Sequence, residues 1–569
     1  MADMRVAGVV AKIMKEEGVE WYAGVHGGHV WALMASVAMA GIKMYHMRHE
    51  QSGAYAADGW ARVTKKPGVC FGTAGPGFGN MVSGLYHAYL TRSPVVALLG
   101  QHGTNEDFFG PFQEAYAEKI TGPFTKWTKR IVDPSTAGFM LQKAFRDATS
   151  YPMGPVALEL PTNIQGAPVG DMMPGYLPPG ACCNPTPPAG DPKMVEKAVK
   201  LLLKAKKPVI VAGDGVFWSD GAKDLRKFVE LMQIPVQTRR MGRGAVPEDH
   251  PLAIGGGFRR PIFAQADVIA IFGLRMNMLE SFGMPPTYPC EKVKYIQVAQ
   301  DWEELTTRMP ATISIVGAPG PVLKQMIDCA KDMMKVKGKT VKTDRSEWVA
   351  TIAAAKAKAQ AKVKAKVDKV RNNKEMHPDF IAAELFDFLD RDATIILDSF
   401  SFAGFSTDKI QATFAGQILD TSTWGGVGHS VGMAMGAQLG RPGKQVVALI
   451  GDGGLGVSGW DIETLARNKI PACFFLYNNS SWMGDIAQKE IMPMVKDTWG
   501  MIPGIRYDKI FAEMGCHTEH VTEGKELKPA LERAFNSGTT SVIDVVPDLS
   551  VLAPQLSARI EFYKKLFGG

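Results

Sequence analysis

The segment KQVVALIGDGGLGVSGWDIETLARNKIPACFFLYNNSSW (residues 444–482) contains two apolar runs, each followed by small and polar residues. The first run ends in GDGG (451–454) and the second in NN (478–479), with a helix-length stretch between them. This order predicts two buried parallel strands joined by a crossover helix. Because the carboxyl ends of parallel strands meet at one edge of a sheet, we expect Asp452 and Asn479 to lie side by side.

The residue types at this predicted edge are suited to a metal–diphosphate group. A carboxylate, an amide oxygen and a nearby backbone carbonyl form a hard-oxygen site for Mg²⁺, which phosphate oxygens would complete. Gly451, Gly453 and Gly454 expose backbone amides beside a helix start, and such amides bind phosphate oxygens. A G-D-G sequence alone is also typical of an ordinary βα turn, so the specificity comes from the joint G-D-G and N-N pattern.

The rest of the chain alternates apolar strand-like runs with helix-period segments, which predicts α/β architecture with open parallel sheets. At 569 residues the chain is too long for one core. The predicted strands fall into three groups: 21–25, 68–74, 94–100 and 155–161; then 208–213, 234–238, 267–273 and 294–299; and finally 393–398, 444–453, 472–478 and 541–546. A stretch rich in Pro and Gly (168–192) separates the first two groups, and a Lys/Ala-rich helix precedes the third.

With this pattern the chain resembles the thiamin diphosphate (ThDP) enzymes, which include acetolactate synthase, benzaldehyde lyase, oxalyl-CoA decarboxylase and 2-hydroxyacyl-CoA lyase. The resemblance covers essentially the whole chain and implies ThDP and Mg²⁺ as cofactors. It implies side-chain metal ligands from Asp452 and Asn479 and a carbonyl ligand from Ser481. The implied domains are pyrimidine-binding (1–170), linker (171–192), central (193–344), helical linker (345–374) and diphosphate-binding with a C-terminal tail (375–569).

A single carboxylate, Glu50, precedes a run of small residues in MRHEQSGAYAADG (47–59). On its own, this pattern is typical of an acid at a helix N-terminus followed by a small-residue packing face. RHEQSGAYAADGWAR (48–62) resembles the family segment whose glutamate activates the cofactor's aminopyrimidine ring, so Glu50 takes that role. The family's cofactor lies across a subunit interface, which implies at least a homodimer, and a homotetramer as the expected assembly. The small residues would then pack near the cofactor and the partner subunit.

Two further segments resemble the family's cofactor-contacting loops. TAGPGFGN (73–80) is similar to the T-S-G-P-G-x-x-N loop and implies cofactor contacts from Gly75, Pro76 and Asn80; a plain turn is the alternative. WGGVGHSVGMAMGA (424–437) resembles the segment whose bulky residue wedges the cofactor into its bent form. Val427 falls at that position, where Met, Leu or Ile is commoner, so the wedge would be smaller.

Two histidines and a glutamine are candidate catalytic residues for the reaction itself. GVHGGHV (24–30) places His26 and His29 after the first predicted strand and resembles the G-x-H-G-x-H sequence of benzaldehyde lyase. A histidine beside the reacting carbon can relay the proton of a substrate hydroxyl, as cleavage of an α-hydroxy ketone requires. The alternative is that one of the pair hydrogen-bonds backbone. Gln113, in FGPFQEA (109–115), matches a glutamine near the substrate oxygen in several family members.

The central segment FGLRMNMLESFGMPPTYPCEKVKYIQV (272–298) resembles 2-hydroxyacyl-CoA lyase and oxalyl-CoA decarboxylase instead. Arg259, Arg260 and Arg275 would be available to the phosphates of CoA or ADP, although ordinary surface roles fit Arg259 and Arg260 equally well. Ala299 stands where the family has a carboxylate suited to a nucleotide, which argues against CoA. FAD is not expected, because AIGGGFRRPIFAQ (253–265) lacks the G-M-H-G-like sequence of FAD-containing relatives.

Composition excludes several other classes of protein. The net charge of +7 comes largely from Lys/Ala-rich segments that are typical of a solvated helix, so no nucleic-acid partner is expected. No apolar run reaches the length of about 18 residues that a membrane helix needs, so no membrane partner is expected. The seven cysteines show no metal-ligand spacing and fit a reducing compartment, which predicts a cytoplasmic protein.

These patterns together predict a ThDP- and Mg²⁺-dependent carbon–carbon lyase and carboligase with a small-molecule substrate. It would cleave or form 2-hydroxy ketones or 2-hydroxyacyl-CoA through a C2-carbanion (Breslow) intermediate. The alternative is an acetolactate synthase-type carboligase that decarboxylates a 2-oxo acid without FAD. A non-catalytic ThDP or nucleotide sensor is a third hypothesis, which the presence of Glu50 disfavours.

Overall fold

Three parallel β-sheets, each flanked by helices, make up the chain, which confirms the predicted fold class. The structure is a computed structural model that describes residues 4–169, 176–177, 186–305, 308–336, 339–340, 343–398, 401–492, 495 and 498–567. Most of the predicted linker 171–192 lies outside the described residues. The domain boundaries predicted from the sequence stay predictions.

The first sheet has six parallel strands in the order β2-β1-β3-β4-β6-β5. Its central strand β4 is buried along its whole length, as expected for an apolar run covered by helices on both faces. The strands are β1 (Trp21–Gly24), β2 (Lys43–His46), β3 (Gly68–Gly72), β4 (Val95–Gln101), β5 (Thr128–Arg130) and β6 (Val156–Pro161). The helices are α1 (Val6–Glu16), α2 (Trp31–Met39), α3 (Glu50–Thr64), α4 (Pro76–Thr91), α5 (Ala117–Thr121), α6 (Ala137–Thr149) and α7 (Thr162–Gly166).

The second sheet has five parallel strands in the order β11-β10-β9-β7-β8. The strands are β7 (Pro208–Ala212), β8 (Val236–Thr238), β9 (Val268–Phe272), β10 (Lys294–Ala299) and β11 (Ala311–Val316). The helices are α8 (Pro192–Lys204), α9 (Asp214–Trp218), α10 (Ala222–Met232), α11 (Arg259–Phe263) and α12 (Pro319–Met333). Two short antiparallel strands, β12 (Lys335–Val336) and β13 (Lys339–Thr340), follow, and then comes the Lys/Ala-rich helix α13 (Ser346–Val370).

The third sheet repeats the strand order of the first, as β15-β14-β16-β17-β19-β18, and is also entirely parallel. The strands are β14 (Thr394–Leu397), β15 (Ile418–Asp420), β16 (Val446–Gly451), β17 (Cys473–Tyr477), β18 (His517–Val521) and β19 (Ser541–Val545). The helices are α14 (Pro378–Phe388), α15 (Ala403–Ser406), α16 (His429–Gly440), α17 (Asp452–Ser458), α18 (Ile462–Arg467), α19 (Asp485–Ile491), α20 (Tyr507–Ala512), α21 (Gly524–Asn536) and α22 (Pro554–Phe567).

This shared strand order determines where ligands can bind. In the first sheet the chain forms β1, places β2 on one side of it and then crosses to place β3 on the other side. The third sheet does the same with β14, β15 and β16. A crevice therefore opens between β1 and β3 and between β14 and β16. Ligands of open α/β sheets bind at such switch points, beyond the carboxyl ends of the strands. His26 and His29 follow β1, and Asp452 follows β16, so both predicted groups lie at switch points.

Helices α3 and α16 join the first and third sheets through contact between their backbones. A Cβ atom added to Gly436 would lie 1.9 Å from the carbonyl oxygen of Ala56, and one added to Gly432 would lie 2.3 Å from that of Ser52. Only glycine permits such an approach. The small residues that follow Glu50 therefore pack against a helix of the same chain.

Every strand predicted from the sequence is present. Five strands of the three parallel sheets were not predicted, nor was the short antiparallel pair β12 and β13. These five, β2, β5, β11, β15 and β18, all lie at sheet edges. They are short or partly exposed, and β11 alternates exposed and buried residues. Within the described ranges, no helix is both long enough and apolar enough to cross a bilayer.

Candidate active site

The carboxyl ends of β16 and β17 bring the predicted metal ligands together. Gly451 pairs with Tyr477 in the parallel ladder, so the residues that follow the two strands emerge at the same level. The Asp452 carboxylate is buried and accepts hydrogen bonds from the backbone N–H of Gly453 at 2.8 Å and of Ser481 at 3.1 Å. These bonds fix the carboxylate at the edge of the sheet, as the sequence predicted.

Three polar groups converge at this point: the Asp452 carboxylate, the Asn479 side-chain amide and the Ser481 carbonyl. The amide lies 3.2 Å from Oδ1 of Asp452 and 3.0 Å from the carbonyl oxygen of Ser481, and with its nitrogen turned inward it donates to both. A cation between these atoms would require the amide oxygen to turn inward instead, and the spacing suits it, because octahedral ligands at the Mg–O distance lie about 3 Å apart. The donor set and its spacing therefore fit Mg²⁺.

Burial also affects the ionisation of the Asp452 carboxyl group. It raises the pKa of Asp452 to about 6, although the backbone hydrogen bonds from Gly453, Ser481 and Ser480 act in the opposite direction. A divalent cation beside the carboxylate would favour its ionised form. The site therefore accommodates the negative charge of Asp452 best when a cation is bound.

One cavity of about 290 Å³ contains all the predicted residues of the diphosphate end. These are Val427, Gly451, Asp452, Gly453, Gly454, Asn479 and Ser481. Gly453 is required by space, because an added Cβ would lie 2.8 Å from the ring of Trp482. The sequence did not predict that Trp482, Met483 and Gln555 also line the cavity, next to Leu556 in α22. Every residue that lines the cavity lies between positions 401 and 556.

Asp398 is a further buried acid at this switch point, and the sequence reasoning assigned it no role. It follows β14 directly and accepts hydrogen bonds from the backbone N–H of Gly428 at 2.9 Å and of Ser430 at 3.1 Å. These bonds hold the turn that carries Val427 against the cavity. The signal that was available is an aspartate at the end of a strand, in ATIILD (393–398).

Asp508 in α20, His520 in β18 and Asp544 in β19 form a second group of metal-ligand type. Within this group Arg506 donates twice to Asp508 at 2.7 Å, and the amide of Asn478 donates to Asp544 at 2.9 Å. His520 lies 3.0 Å from Asp544. Each carboxylate of the group therefore has hydrogen-bond partners within the chain, which is typical of a structural cluster.

Glu50 is the first residue of α3, and its side chain is 7% exposed. The side-chain amide of Asn80, in α4, donates to its carboxylate at 3.0 Å. Two residues predicted separately, from two different segments, are therefore in contact. Since Glu50 is not among the residues that line the diphosphate cavity, a single chain presents the two ends of the predicted site as separate surfaces.

Gly75 and Pro76 form the start of α4, next to Gln113. Gly75 has φ +58°, and a Cβ added there would lie 2.9 Å from the carbonyl oxygen of Gln113. Glycine is therefore needed both for the backbone conformation and for the close approach. Pro76 takes the first helical position, which its fixed φ favours. Gln113 itself has φ +61°, a conformation that is uncommon outside glycine.

His29 lies at the β1–β3 switch point within a polar cluster. Its Nδ1 is 3.2 Å from the hydroxyl of Thr73, and its side chain also hydrogen-bonds that of Gln113. Gln165 donates to the backbone carbonyl of His29 at 2.6 Å, which fixes the loop. Burial, followed by the nearby charge of His102, lowers the pKa of His29. The neutral ring is therefore favoured, and it can accept or pass on a proton.

His26 occupies a different environment from His29. Its side chain is exposed, and its ring lies against that of His46, with 5.0 Å between ring centroids. The positive charges near this pair, which include Arg48 and Arg467, lower the pKa of His46, although burial is the larger cause. The structure thus joins His29 and Gln113 and places His26 in another pair.

The cationic residues considered for CoA binding have internal partners. Arg259 pairs with the buried Glu280 at 2.9 Å, and Arg275 pairs with Glu304 at 2.9 Å. Arg260 donates to the hydroxyl of Thr287 at 3.3 Å. Glu280 also pairs with Arg239 at 2.7 Å, and Glu304 also pairs with Arg92 at 3.2 Å, so each acid has a second cationic partner. The availability of these arginines to CoA phosphates stays a prediction.

Comparison with known proteins is consistent with this geometry. The thiamine pyrophosphate enzyme family matches through its N-terminal TPP binding domain (residues 4–120), its central domain (195–326) and its C-terminal TPP binding domain (404–545). The chain is 32% identical to "Acetolactate synthase large subunit IlvG" of Mycobacterium tuberculosis, over 97% of this chain and 98% of that protein.

Two other similarities are broad in coverage. Human "2-hydroxyacyl-CoA lyase 1" is 26% identical, over 95% of this chain and 94% of that protein. The solved structure of "a putative thiamin diphosphate-dependent enzyme" from Mycobacterium smegmatis superposes with a TM-score of 0.78 at 22% identity, covering 96% of this chain and 100% of that one. The chain belongs to the thiamine pyrophosphate enzyme family and is a ThDP-dependent enzyme.

Proposed function

We propose that the protein is a ThDP- and Mg²⁺-dependent carboligase of the acetolactate synthase type. It would decarboxylate a 2-oxo acid and join the remaining acyl unit to a second carbonyl compound, without FAD. This reading was the alternative in the sequence analysis, and the 32% identity to an acetolactate synthase over nearly the full length supports it over the lyase reading. The observation that carries the cofactor assignment is the placement of the Asp452 carboxylate, the Asn479 side-chain amide and Ser481 in one cavity.

The residues of this chain have distinct proposed roles. Asp452 and Asn479 would bind the metal through their side chains and Ser481 through its carbonyl oxygen, while Gly453 and Gly454 leave room for the diphosphate. ThDP, when bound, supplies a carbanion that adds to a carbonyl carbon. Glu50 would hold a proton at the cofactor's pyrimidine ring.

We propose a homodimer as the smallest active unit, with a homotetramer as the expected assembly. Among the described residues, those that line the diphosphate cavity fall between positions 401 and 556, and Glu50 is not one of them. A cofactor bound in that cavity would therefore meet the Glu50 of a neighbouring chain. The cytoplasmic location stays a prediction.

The lyase reading remains a second candidate because of the cluster around His29. The contacts of His29 with Thr73 and Gln113 place a neutral imidazole at the switch point of the first sheet. A ring in this state is suited to taking the hydroxyl proton of a 2-hydroxy ketone when its C–C bond is cleaved. The internal ion pairs of Arg259 and Arg275 favour a free hydroxy ketone over a CoA thioester.

One experiment separates the two candidates. Purified enzyme with ThDP and MgCl₂ is incubated separately with pyruvate, with benzoin and with a 2-hydroxyacyl-CoA, and the products are identified by mass. Release of CO₂ with formation of acetolactate is the expected result. Formation of benzaldehyde from benzoin, with pyruvate unchanged, would show that the enzyme is a lyase instead.

A further inference from the structure

The turn before Glu50 is tied to the third sheet's region of the same chain. The backbone N–H of Arg48 donates to Oδ1 of Asp461 at 2.7 Å, a contact between residues 413 positions apart in sequence. Beside it, the guanidinium Nε of Arg48 donates to Glu463 at 3.0 Å. Arg467 donates to the backbone carbonyl of His46 at 2.9 Å. The short segment that ends at Glu50 is therefore held from α18 and the turn before it.

Asp461 binds this segment on both sides of Glu50. Its carboxylate accepts the N–H of Arg48, two residues before Glu50, and the hydroxyl of Ser52, two residues after it. Asp461 and Ser52 are each 1% exposed. A buried carboxylate that accepts two hydrogen bonds from one turn restricts the orientation of that turn.

The contacts of Asp461 do not serve mainly to hold α3 in the fold. Farther along the helix, α3 is already fixed by its backbone contact with α16, where Gly436 meets Ala56. Inside the turn, the His49 ring accepts the N–H of Gln51 at 3.2 Å and begins the helix. The contacts of Asp461 instead set the direction of the first turn of α3, and Glu50 is the first residue of that turn.

Burying the carboxylate of Asp461 destabilises the fold unless the carboxylate is hydrogen-bonded, so packing alone does not explain this residue. Water is excluded from its carboxylate, and this desolvation raises the pKa of Asp461. A buried acid is stabilised only when its hydrogen-bond partners are in place. The partners it has are the backbone and hydroxyl on either side of Glu50, together with Thr464 at 3.4 Å.

We infer that Asp461 is the positioning residue of Glu50: it orients the first turn of α3 so that the Glu50 carboxylate is presented toward the cofactor. This inference rests on the proposed role of Glu50. Asp461 itself does not contact the reacting atoms and acts through the Arg48–Ser52 turn.

The test compares three variants of the full-length enzyme with the unmodified protein. Asp461→Ala removes the acceptor for Arg48, Ser52 and Thr464, and Asp461→Asn keeps one acceptor oxygen in a side chain of the same shape. Glu463→Gln is the matched control, because Glu463 lies in the same helical region and binds the side chains of Arg48 and Arg467. Amide hydrogen exchange of residues 46–52 and 53–64 is followed by mass spectrometry, without and with ThDP and MgCl₂.

Asp461→Ala is expected to raise exchange in 46–52 by about tenfold while 53–64 stays protected. Exchange of the C2 proton of bound ThDP should fall by about 10- to 100-fold, as for a modest misplacement of a reacting group, with unchanged ThDP affinity. Asp461→Asn should give an intermediate loss of C2 exchange, and Glu463→Gln should behave like the unmodified enzyme.

Unchanged exchange in 46–52 for Asp461→Ala would overturn the inference. So would parallel losses in 53–64, in ThDP affinity and in C2 exchange, because these indicate general destabilisation. If Asp461→Ala does not fold, Ser52→Ala removes one of the two bonds and should shift the same readouts in the same direction. Failure of the unmodified enzyme to exchange the C2 proton would defeat the proposed function separately.

Discussion

The side-chain amide of Asn80 donates to the carboxylate of Glu50 across 3.0 Å, joining the starts of α3 and α4. The bond occupies one carboxylate oxygen and leaves the other for a ligand. Asn80 is exposed, so a bound cofactor and a neighbouring chain would both lie close to this pair. The contact places Glu50 in a defined rotamer before any ligand arrives.

Glu50→Gln is expected to abolish C2 proton exchange of ThDP while ThDP still binds. The amide keeps the shape of the side chain but cannot take up a proton, and loss of a general acid–base group costs about 10²- to 10⁴-fold in rate. Asn80→Ala is the matched control, since it leaves the carboxylate and should slow exchange less. The measurement is C2–H exchange followed by NMR after acid quench, and unchanged turnover in Glu50→Gln would refute the role.

Removal of the metal should abolish ThDP binding. Dialysis against EDTA is expected to give an inactive apoenzyme that recovers with MgCl₂. Without the cation, the negative diphosphate would lie against the negative Asp452 carboxylate. Asn479→Ala deletes one of the three converging polar groups and should raise the Mg²⁺ concentration needed for half-recovery.

Asp508→Asn serves as the control for that series, because it alters the neighbouring carboxylate cluster, in which Arg506 already pairs with Asp508. Its Mg²⁺ requirement should equal that of the unmodified enzyme. A loss of Mg²⁺ response in Asp508→Asn instead of Asn479→Ala would move the metal site to the cluster at β18 and β19.

Gly436→Ala is expected to destabilise the protein by about 1–3 kcal/mol or more, the cost of forcing extra volume into a packed contact. The added methyl group would lie 1.9 Å from the Ala56 carbonyl oxygen, and backbone cannot move aside as a side chain can. Gly8→Ala, in α1, has only an ordinary contact at 3.5 Å and should be neutral or stabilising by up to about 1 kcal/mol. Urea unfolding of both variants measures the difference, and equal midpoints would contradict the packing argument.

His29→Ala is expected to slow cleavage of a 2-hydroxy ketone more than decarboxylation of a 2-oxo acid, because only the first reaction requires removal of a hydroxyl proton. His26→Ala should have the smaller effect, since its ring lies against His46. Steady-state rates with benzoin and pyruvate compare the two variants. Equal effects of His29→Ala on both substrates would remove the argument for the lyase.

The pH dependence of that cleavage follows from the charge on His29. Since burial and His102 lower the pKa of His29 from its ordinary 6.5, the neutral ring persists to lower pH and is lost only as pH falls through the lowered value. The acid limb of kcat/KM should therefore lie below pH 6.5. His102→Gln removes a positive neighbour, so the limb should move to higher pH; a shift to lower pH would contradict this assignment.

The parts of the fold that were predictable are those whose signal is local. Strands such as β4 and β16 are continuous apolar runs because helices cover both faces, and the sequence shows this directly. The five strands that were missed lie at sheet edges, where a short or partly exposed strand needs few apolar residues. The edge strand β8 was predicted because it is short but fully buried.

The same distinction applies to the candidate site. Asp452 and Asn479 were predictable because a strand end and a glycine-rich turn surround each of them in sequence. Asp398 and Asp461 are single acids whose meaning depends on partners brought close by folding, such as Gly428 and Arg48. His26 and His29 look equivalent in the sequence, and only the packing of His46 and Thr73 distinguishes them.

The backbone contact between α3 and α16 also constrains protein engineering. Exchanging the N-terminal third between two relatives would put unmatched helix surfaces together at a place where backbone meets backbone and cannot adjust. A hybrid should therefore inherit both helices from one parent, even though more than 350 residues separate them in the chain. Recombination breakpoints chosen from sequence similarity alone would divide the pair.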